Sequence, residues 1–161
     1  MRLYTQILLA FAAAGCSATL NEPRPGTRLD VRRLAPDAAT FTYVSGMTQS
    51  ERLVVRDASA WSNVWTSISA KETPAPVLPS IDFATRMVVV AALGQRDSGG
   101  YTIRVDSAMT TTDGLTVWIS TIDPGSTCLT TAALTQPVDV ASLPRIQGAV
   151  RFVDVHSVAR C

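Results

Sequence analysis

At 161 residues, with 47% hydrophobic and 17% charged side chains, the chain has the length and composition of one globular domain. Its formal net charge is +1, and its single lysine, Lys71, stands among scattered arginines. A chain this neutral, without a clustered cationic face, has no electrostatic footprint for nucleic acid. Abundant Val, Thr, Ser and Ala over few charges favour strands over charged amphipathic helices.

Residues 1–15 have the layout of an export signal: Arg2 beside the free amine, an apolar run over 7–14, then Ala13, Ala14 and Gly15 just before Cys16. The apolar run is about half the ~20 residues that a membrane-spanning helix needs, which argues against a permanent transmembrane helix. Ala13-Ala14-Gly15-Cys16 resembles the lipobox of bacterial lipoproteins, with Ala13 where Leu is commonest. That resemblance implies cleavage before Cys16 and lipid on its thiol, and more than one acyl chain on a residue makes a stable anchor. Ser17, rather than Asp, follows the cysteine, which by the same resemblance favours the outer membrane, facing the periplasm or the cell surface. An ordinary secretory signal with a chance cysteine is the alternative.

Residues 16–39 are rich in Pro, Arg, Asp and Ala without periodicity, and are expected to form a flexible tether. A single folded domain is expected over 40–161. Phe41-Thr42-Tyr43-Val44-Ser45-Gly46 alternates like a strand, and 52–56 reads as a second, joined to it by a hairpin across 46–50. Asp57 can cap a helix on which Trp61, Val64, Trp65 and Ile68 form one apolar stripe. The two tryptophans are expected in the core, where a helix lies on a sheet. Pro74 and Pro76 end that helix and open a proline-rich connector over 73–80.

From Ile81 the pattern is β. Met87-Val88-Val89-Val90-Ala91-Ala92-Leu93 reads as a central strand covered on both faces. Tyr101, Ile103 and Val105 alternate with polar residues, as do Leu115, Val117 and Ile119, and Asp113-Gly114 marks a turn between them. Side-chain parity predicts a three-residue loop, 112–114, pairing Met109 with Val117, unless a bulge lies elsewhere. A last strand is expected over 150–158, carrying Phe152, Val153 and Val155.

With Cys16 taken by lipid, Cys128 and Cys161 form an even pair in an oxidising compartment. A bridge between them would stabilise the domain by roughly 3–4 kcal/mol in the chain-entropy model. It would also pin the chain's end near the Asp123-Pro124-Gly125 turn. A free thiol or a metal site is the alternative, but two cysteines and one distant histidine are a poor zinc set.

No catalytic residue is expected, and no cofactor or metal is implied. His156 is the only histidine, so a serine or cysteine nucleophile would have to use it as base. No Gly-x-Ser-x-Gly elbow is present, and Ser98-Gly99-Gly100 lacks the Lys-Ser/Thr of a phosphate loop. Arg96-Asp97-Ser98-Gly99-Gly100-Tyr101 joins two strong strands. It reads first as a tight glycine hairpin. It also reads as an exposed recognition loop in which Arg96, Gly99, Gly100 and Tyr101 meet a partner.

From Trp61 onward the chain resembles the PrcB-like family, the C-terminal domain of protease-complex subunit PrcB. The resemblance rests on Trp61 and Trp65, then Pro79-Ser80-Ile81-Asp82-Phe83 before a Val-rich strand. It continues with Gly94-Gln95-Arg96-Asp97-Ser98-Gly99-Gly100-Tyr101, then Ala133-Leu134-Thr135-Gln136-Pro137, and Leu143-Pro144-Arg145. Asp97-Ser98 departs from the Pro-Thr-like pair frequent there. The resemblance implies a surface lipoprotein that supports a secreted protease, with no catalytic residue of its own. The Gly-Gly-Tyr stretch is also similar to the inserting loop of chagasin-type cysteine-protease inhibitors.

These readings give a mainly β protein, sandwich-like or a strongly bent antiparallel sheet, with one packed α-helix. The expected function is that of a non-enzymatic, lipid-anchored envelope protein that binds or stabilises a secreted protease complex. A protease inhibitor using residues 96–101, or a small-ligand-binding envelope domain, is the alternative.

Overall fold

Arg86–Leu93 (β3) buries seven of its eight residues, and a strand that apolar needs cover on both faces. The structure, a computed structural model describing residues 23–34 and 45–161, places it inside a four-stranded sheet of order β1-β6-β3-β2. The neighbours are Arg32–Arg33 (β1), Ser50–Val55 (β2) and Val138–Pro144 (β6). A second sheet, of order β4-β5-β7, is built from Thr102–Thr111 (β4), Gly114–Asp123 (β5) and Ala149–Val158 (β7). One face of β3, with Met87, Val89 and Ala91, packs against Ile103, Val105, Leu115, Val117 and Ile119 of the second sheet. The other face, with Val88, Val90 and Ala92, packs under the helix Ala58–Ile68 (α1). The result is the expected sandwich with one packed helix. The leader, Cys16 and Phe41-Thr42-Tyr43-Val44 lie outside the described residues.

The helix follows its sequence pattern closely. Asp57 accepts a 2.8 Å hydrogen bond from the Ala60 N–H and so satisfies one free donor of the first turn. Trp61, Trp65 and Ile68 are buried, and the two indole N–H groups donate to the Pro79 and Pro76 carbonyls at 2.9 and 3.1 Å. The proline-rich connector is therefore held over the helix by the tryptophans' polar edges, which need partners when buried. Among the described residues no helix is long and apolar enough to cross a membrane.

Four expectations are corrected. The β4–β5 turn is a two-residue loop, Thr112-Asp113, with Thr111 opposite Gly114, rather than a three-residue loop. Met109 therefore faces Thr116 and Ala108 faces Val117. Parity is restored by a bulge between Val105 and Ser107, which moves one extra residue through the ladder. Ile103, Val105, Ala108, Leu115, Val117 and Ile119 then share the core face.

Secondly, the strand expected over 41–46 does not reach its described end, and β2 takes β3 as a partner. Ser45 and Gly46 are irregular; the Ser45 hydroxyl donates to the Gln136 carbonyl, and the Gly46 N–H donates to Ile68 at the helix end. Thirdly, 94–101 is not a hairpin, because β3 and β4 belong to different sheets.

Fourthly, the described part of the expected tether is packed against the domain. Leu29 lies in the core between the sheets. The Gly26 and Leu29 N–H groups donate to Thr110 and Ala108 on β4, and Arg32–Arg33 pairs with β6. Composition hides this, because buried Leu29, half-buried Val31 and Leu34 and a few main-chain bonds order a stretch whose remaining residues are mostly exposed.

Sequence patterning also missed β6, where Asp139 and Ser142 interrupt the apolar run. This strand carries the chain back through the first sheet between β5 and β7. Two reversals leave β7 parallel to β5 over its whole length, so the second sheet is mixed rather than antiparallel.

Asp139 explains its own burial. Its carboxylate accepts a 2.7 Å bond from the Val105 N–H on the edge of β4 and lies 3.2 Å from the Arg33 guanidinium. It thus ties the two sheets together beside the bulge. Burial pushes the carboxyl above its usual range, while the Val105 bond and Arg33 pull the other way. A raised folded value means that the native state holds the proton longer, so this group's contribution weakens as pH rises through that value.

Asp139→Asn retains an acceptor for Val105 and discards the charge. Its stability relative to the natural chain is expected to improve as pH rises from the ordinary carboxylate value through the raised one, in urea titrations at stepped pH. Asp139→Ala leaves the Val105 N–H unpaired and is expected to cost about 1–3 kcal/mol. Leu29→Ala is expected to cost about 2–5 kcal/mol in the same assay, where a tether residue would cost nothing.

Candidate protein-binding surface

One end of the sandwich gathers the loops that leave β3, β5 and β7, and every described candidate residue lies there. The 94–101 segment is zipped to 128–136. Arg96 and Thr135 exchange main-chain hydrogen bonds of 2.8 and 3.0 Å, and the Gly99 N–H donates to Thr131 at 3.0 Å. The Thr135 hydroxyl adds a 2.8 Å bond to the Ser98 carbonyl. Buried Gln136 fastens the zip from below, with Lys71 donating to its side-chain oxygen at 3.1 Å. Two segments that look like separate loops in sequence are one ordered surface.

The glycines serve this internal contact. Gly99 is buried, and a β-carbon there would sit 2.4 Å from the Thr131 hydroxyl. Gly100 has φ of +90° and lies against Pro124 and Thr130. Gly99 is thus covered by the chain itself. Gly100 is exposed, and beside it the half-buried Arg96 sets its guanidinium over the half-buried Tyr101 ring, 5.6 Å from its centroid, a cation–π pair that holds both side chains in place.

Beside them stand Leu129, fully exposed, and Leu134, 60% exposed. Sequence reasoning offered neither as a contact, though Leu134 stands in a resembling motif, because an isolated leucine in a polar stretch carries no periodic signal. Two exposed leucines on an ordered loop beside Arg and Tyr have the makeup of a protein contact, where apolar, aromatic and Arg side chains carry most binding energy.

Cys128 and Cys161 form the expected disulfide, with Cα atoms 5.0 Å apart. It joins the zipped loop to the chain's end. Gly125, three residues before Cys128, lets the Ala159 carbonyl approach; a β-carbon there would be 2.3 Å from that oxygen.

His156 is solvent-facing on β7, with Nε2 3.2 Å from the Asp123 carboxylate. The Ser157 hydroxyl donates, at 3.5 Å, to the Thr121 carbonyl, so the neighbouring serine is turned into the sheet. The bridged sulfurs of Cys128 and Cys161 offer no thiolate. Among the described residues no group of three His, Cys, Asp or Glu side chains comes together to hold a metal ion.

Two of the motifs singled out in the sequence fall on structural joints. Asp82 closes the turn before β3 by accepting from the Ala84 N–H and the Thr85 hydroxyl. Arg145, after β6, donates to the Arg56 and Phe83 carbonyls at 2.8 and 2.7 Å and locks that turn to the end of β2. The family model described as PrcB C-terminal matches residues 87–144, which run from β3 through β6 and include both zipped loops. No curated protein and no solved structure matches the chain.

The two glycines differ in what blocks a side chain. Gly99→Ala needs only the Thr131 side chain to rotate and is expected to cost little. Gly125→Ala drives a methyl into a main-chain carbonyl and is expected to cost roughly 1–3 kcal/mol, by thermal or urea unfolding of the oxidised protein.

Proposed function

From the match of residues 87–144 to the PrcB C-terminal family model, we propose that the chain is a non-enzymatic, lipid-anchored envelope subunit that binds and stabilises a secreted protease complex. Lipid on Cys16 holds it to the outer membrane, and the end carrying Arg96, Tyr101, Leu129 and Leu134 meets the partner. The observation that carries this reading is the coincidence of the family match with that end: the matched segment contains both loops of the zipped surface.

Two features favour docking on this surface over insertion of the 96–101 loop into a protease cleft. Gly99 lies under Thr131, and Arg96 is tied at its backbone to Thr135. A loop bound along its length to its neighbour presents a ledge, whereas insertion needs a free tip. Binding rather than catalysis agrees with the bridged cysteines, which offer no thiolate.

The test is affinity capture of the full-length protein from gently solubilised native envelope. A protease recovered in stoichiometric amount is the expected result, and recovery of no specific partner would overturn the proposal. Leu129→Asp and Leu134→Asp alter exposed side chains and should leave folding intact. Together they are expected to weaken capture by at least about 2 kcal/mol, as the loss of a central contact does. Unchanged capture would place the partner elsewhere.

A further inference from the structure

Among the described residues four strand edges bound the two sheets, and three of them are short or covered. The edge of β4 is occupied: its Ala108 and Thr110 main-chain groups bond to the 26–29 stretch, and its Val105 N–H bonds to Asp139. β1 is two residues long and β2 six. The fourth, β7, is ten residues long and pairs on one side only.

Ala149 and Ala159 both donate their N–H groups towards β5, to Asp113 and Asp123. Main-chain groups alternate along a strand, so those of Val150, Phe152, Asp154, His156 and Val158 point away from β5. Among the described residues none of these five has a main-chain partner on that side. An exposed edge of this length is a template for another strand. Val155 and Val158 stand on it 52% and 57% exposed.

The residue order along this edge selects its occupant. A strand added to β7 must keep inward-facing residues opposite inward-facing residues, so a two-fold antiparallel pairing is confined to alternate registers. Centred on Asp154 it sets carboxylate against carboxylate, and centred on His156 it sets imidazole against imidazole. Centred on Val155 it sets each Asp154 opposite His156 of the second copy and brings the two Val155 side chains together. It also lays exposed Val158 beside Phe152 at the rim of the core. A carboxylate opposite an imidazole N–H gains a cross-strand hydrogen bond and apolar pairs stabilise a ladder, whereas carboxylates directly opposite each other oppose it.

Asp154 already holds Arg52 at 2.7 Å and His156 already holds Asp123 at 3.2 Å. The centred register therefore links these two pairs across the junction. We propose that the protein forms a two-fold homodimer by antiparallel pairing of β7 with β7 of a second copy about Val155, giving one continuous six-stranded sheet.

In this register the Val155 pair is non-hydrogen-bonded, with Cα atoms about 4.5 Å apart, within reach of a disulfide. The test uses the full-length protein in detergent. Light scattering, after subtraction of bound detergent, is expected to give twice the protomer mass. Val155→Asp, which sets two carboxylates face to face on an exposed site, is expected to weaken the dimer by about tenfold or more. Val155→Cys is expected to form a covalent dimer under mild oxidation on non-reducing gels, well ahead of Val153→Cys. A monomeric mass overturns the proposal, and so does a dimer in which Val155→Cys cross-links no faster than Val153→Cys, since that dimer would use another surface.

Discussion

The two-sided burial of β3 is the constraint on which the rest of the structure depends. Residues 87–92 are fully shielded from solvent, and each face of that strand requires its own covering layer. The helix supplies one and the second sheet the other. The chain must then cross between layers three times, after β3, after β5 and after β6. The crossings after β3 and β5 create the loop-rich end that carries the candidate surface, and the three together leave β7 parallel to β5. A ladder of apolar side chains in one strand thus sets where the loops gather.

Edges are the second concern of any open sheet, and this protein treats them unequally. The β4 edge is closed by main-chain bonds from 26–29 and by the Asp139 carboxylate, with Arg33 offsetting part of the cost of burying that charge. Burial still dominates and leaves the carboxyl reluctant to ionise, as expected where desolvation outweighs a single partly exposed partner. With the Arg52–Asp154 pair, this group adds direction to a junction between sheets that is otherwise mainly apolar. The β7 edge has no such closure among the described residues, and Val155 and Val158 on it remain exposed.

The candidate surface owes its order to the same economy of parts. The disulfide anchors 128–136 to the end of the chain, 94–101 zips onto that loop, and buried Gln136 connects both to Lys71 and Ser45. Arg96, Tyr101, Leu129 and Leu134 are thereby presented on a held ledge, so little ordering entropy opposes binding there. The family match spans the two loops that build this ledge and stops before β7.

From residues alone, the helix with its Asp57 cap, the doubly buried strand, the final strand and the Cys128–Cys161 pairing could all be read. Each rests on a local period, a cap or a parity argument that needs no knowledge of distant neighbours. The PrcB-like resemblance was legible for a similar reason, as short motifs in order. Tertiary structure decided the bulge at Val105 and Ser107, the strand around Asp139, the parallel placement of β7, the packing of Leu29 and the closure of Gly99 beneath Thr131. Each of these depends on contacts between residues far apart in sequence, where a hydrogen bond or a buried leucine is worth making only once the partner is in place. A sequence period reports which side chains want burial, and it is silent on which edge, loop or carboxylate will meet them.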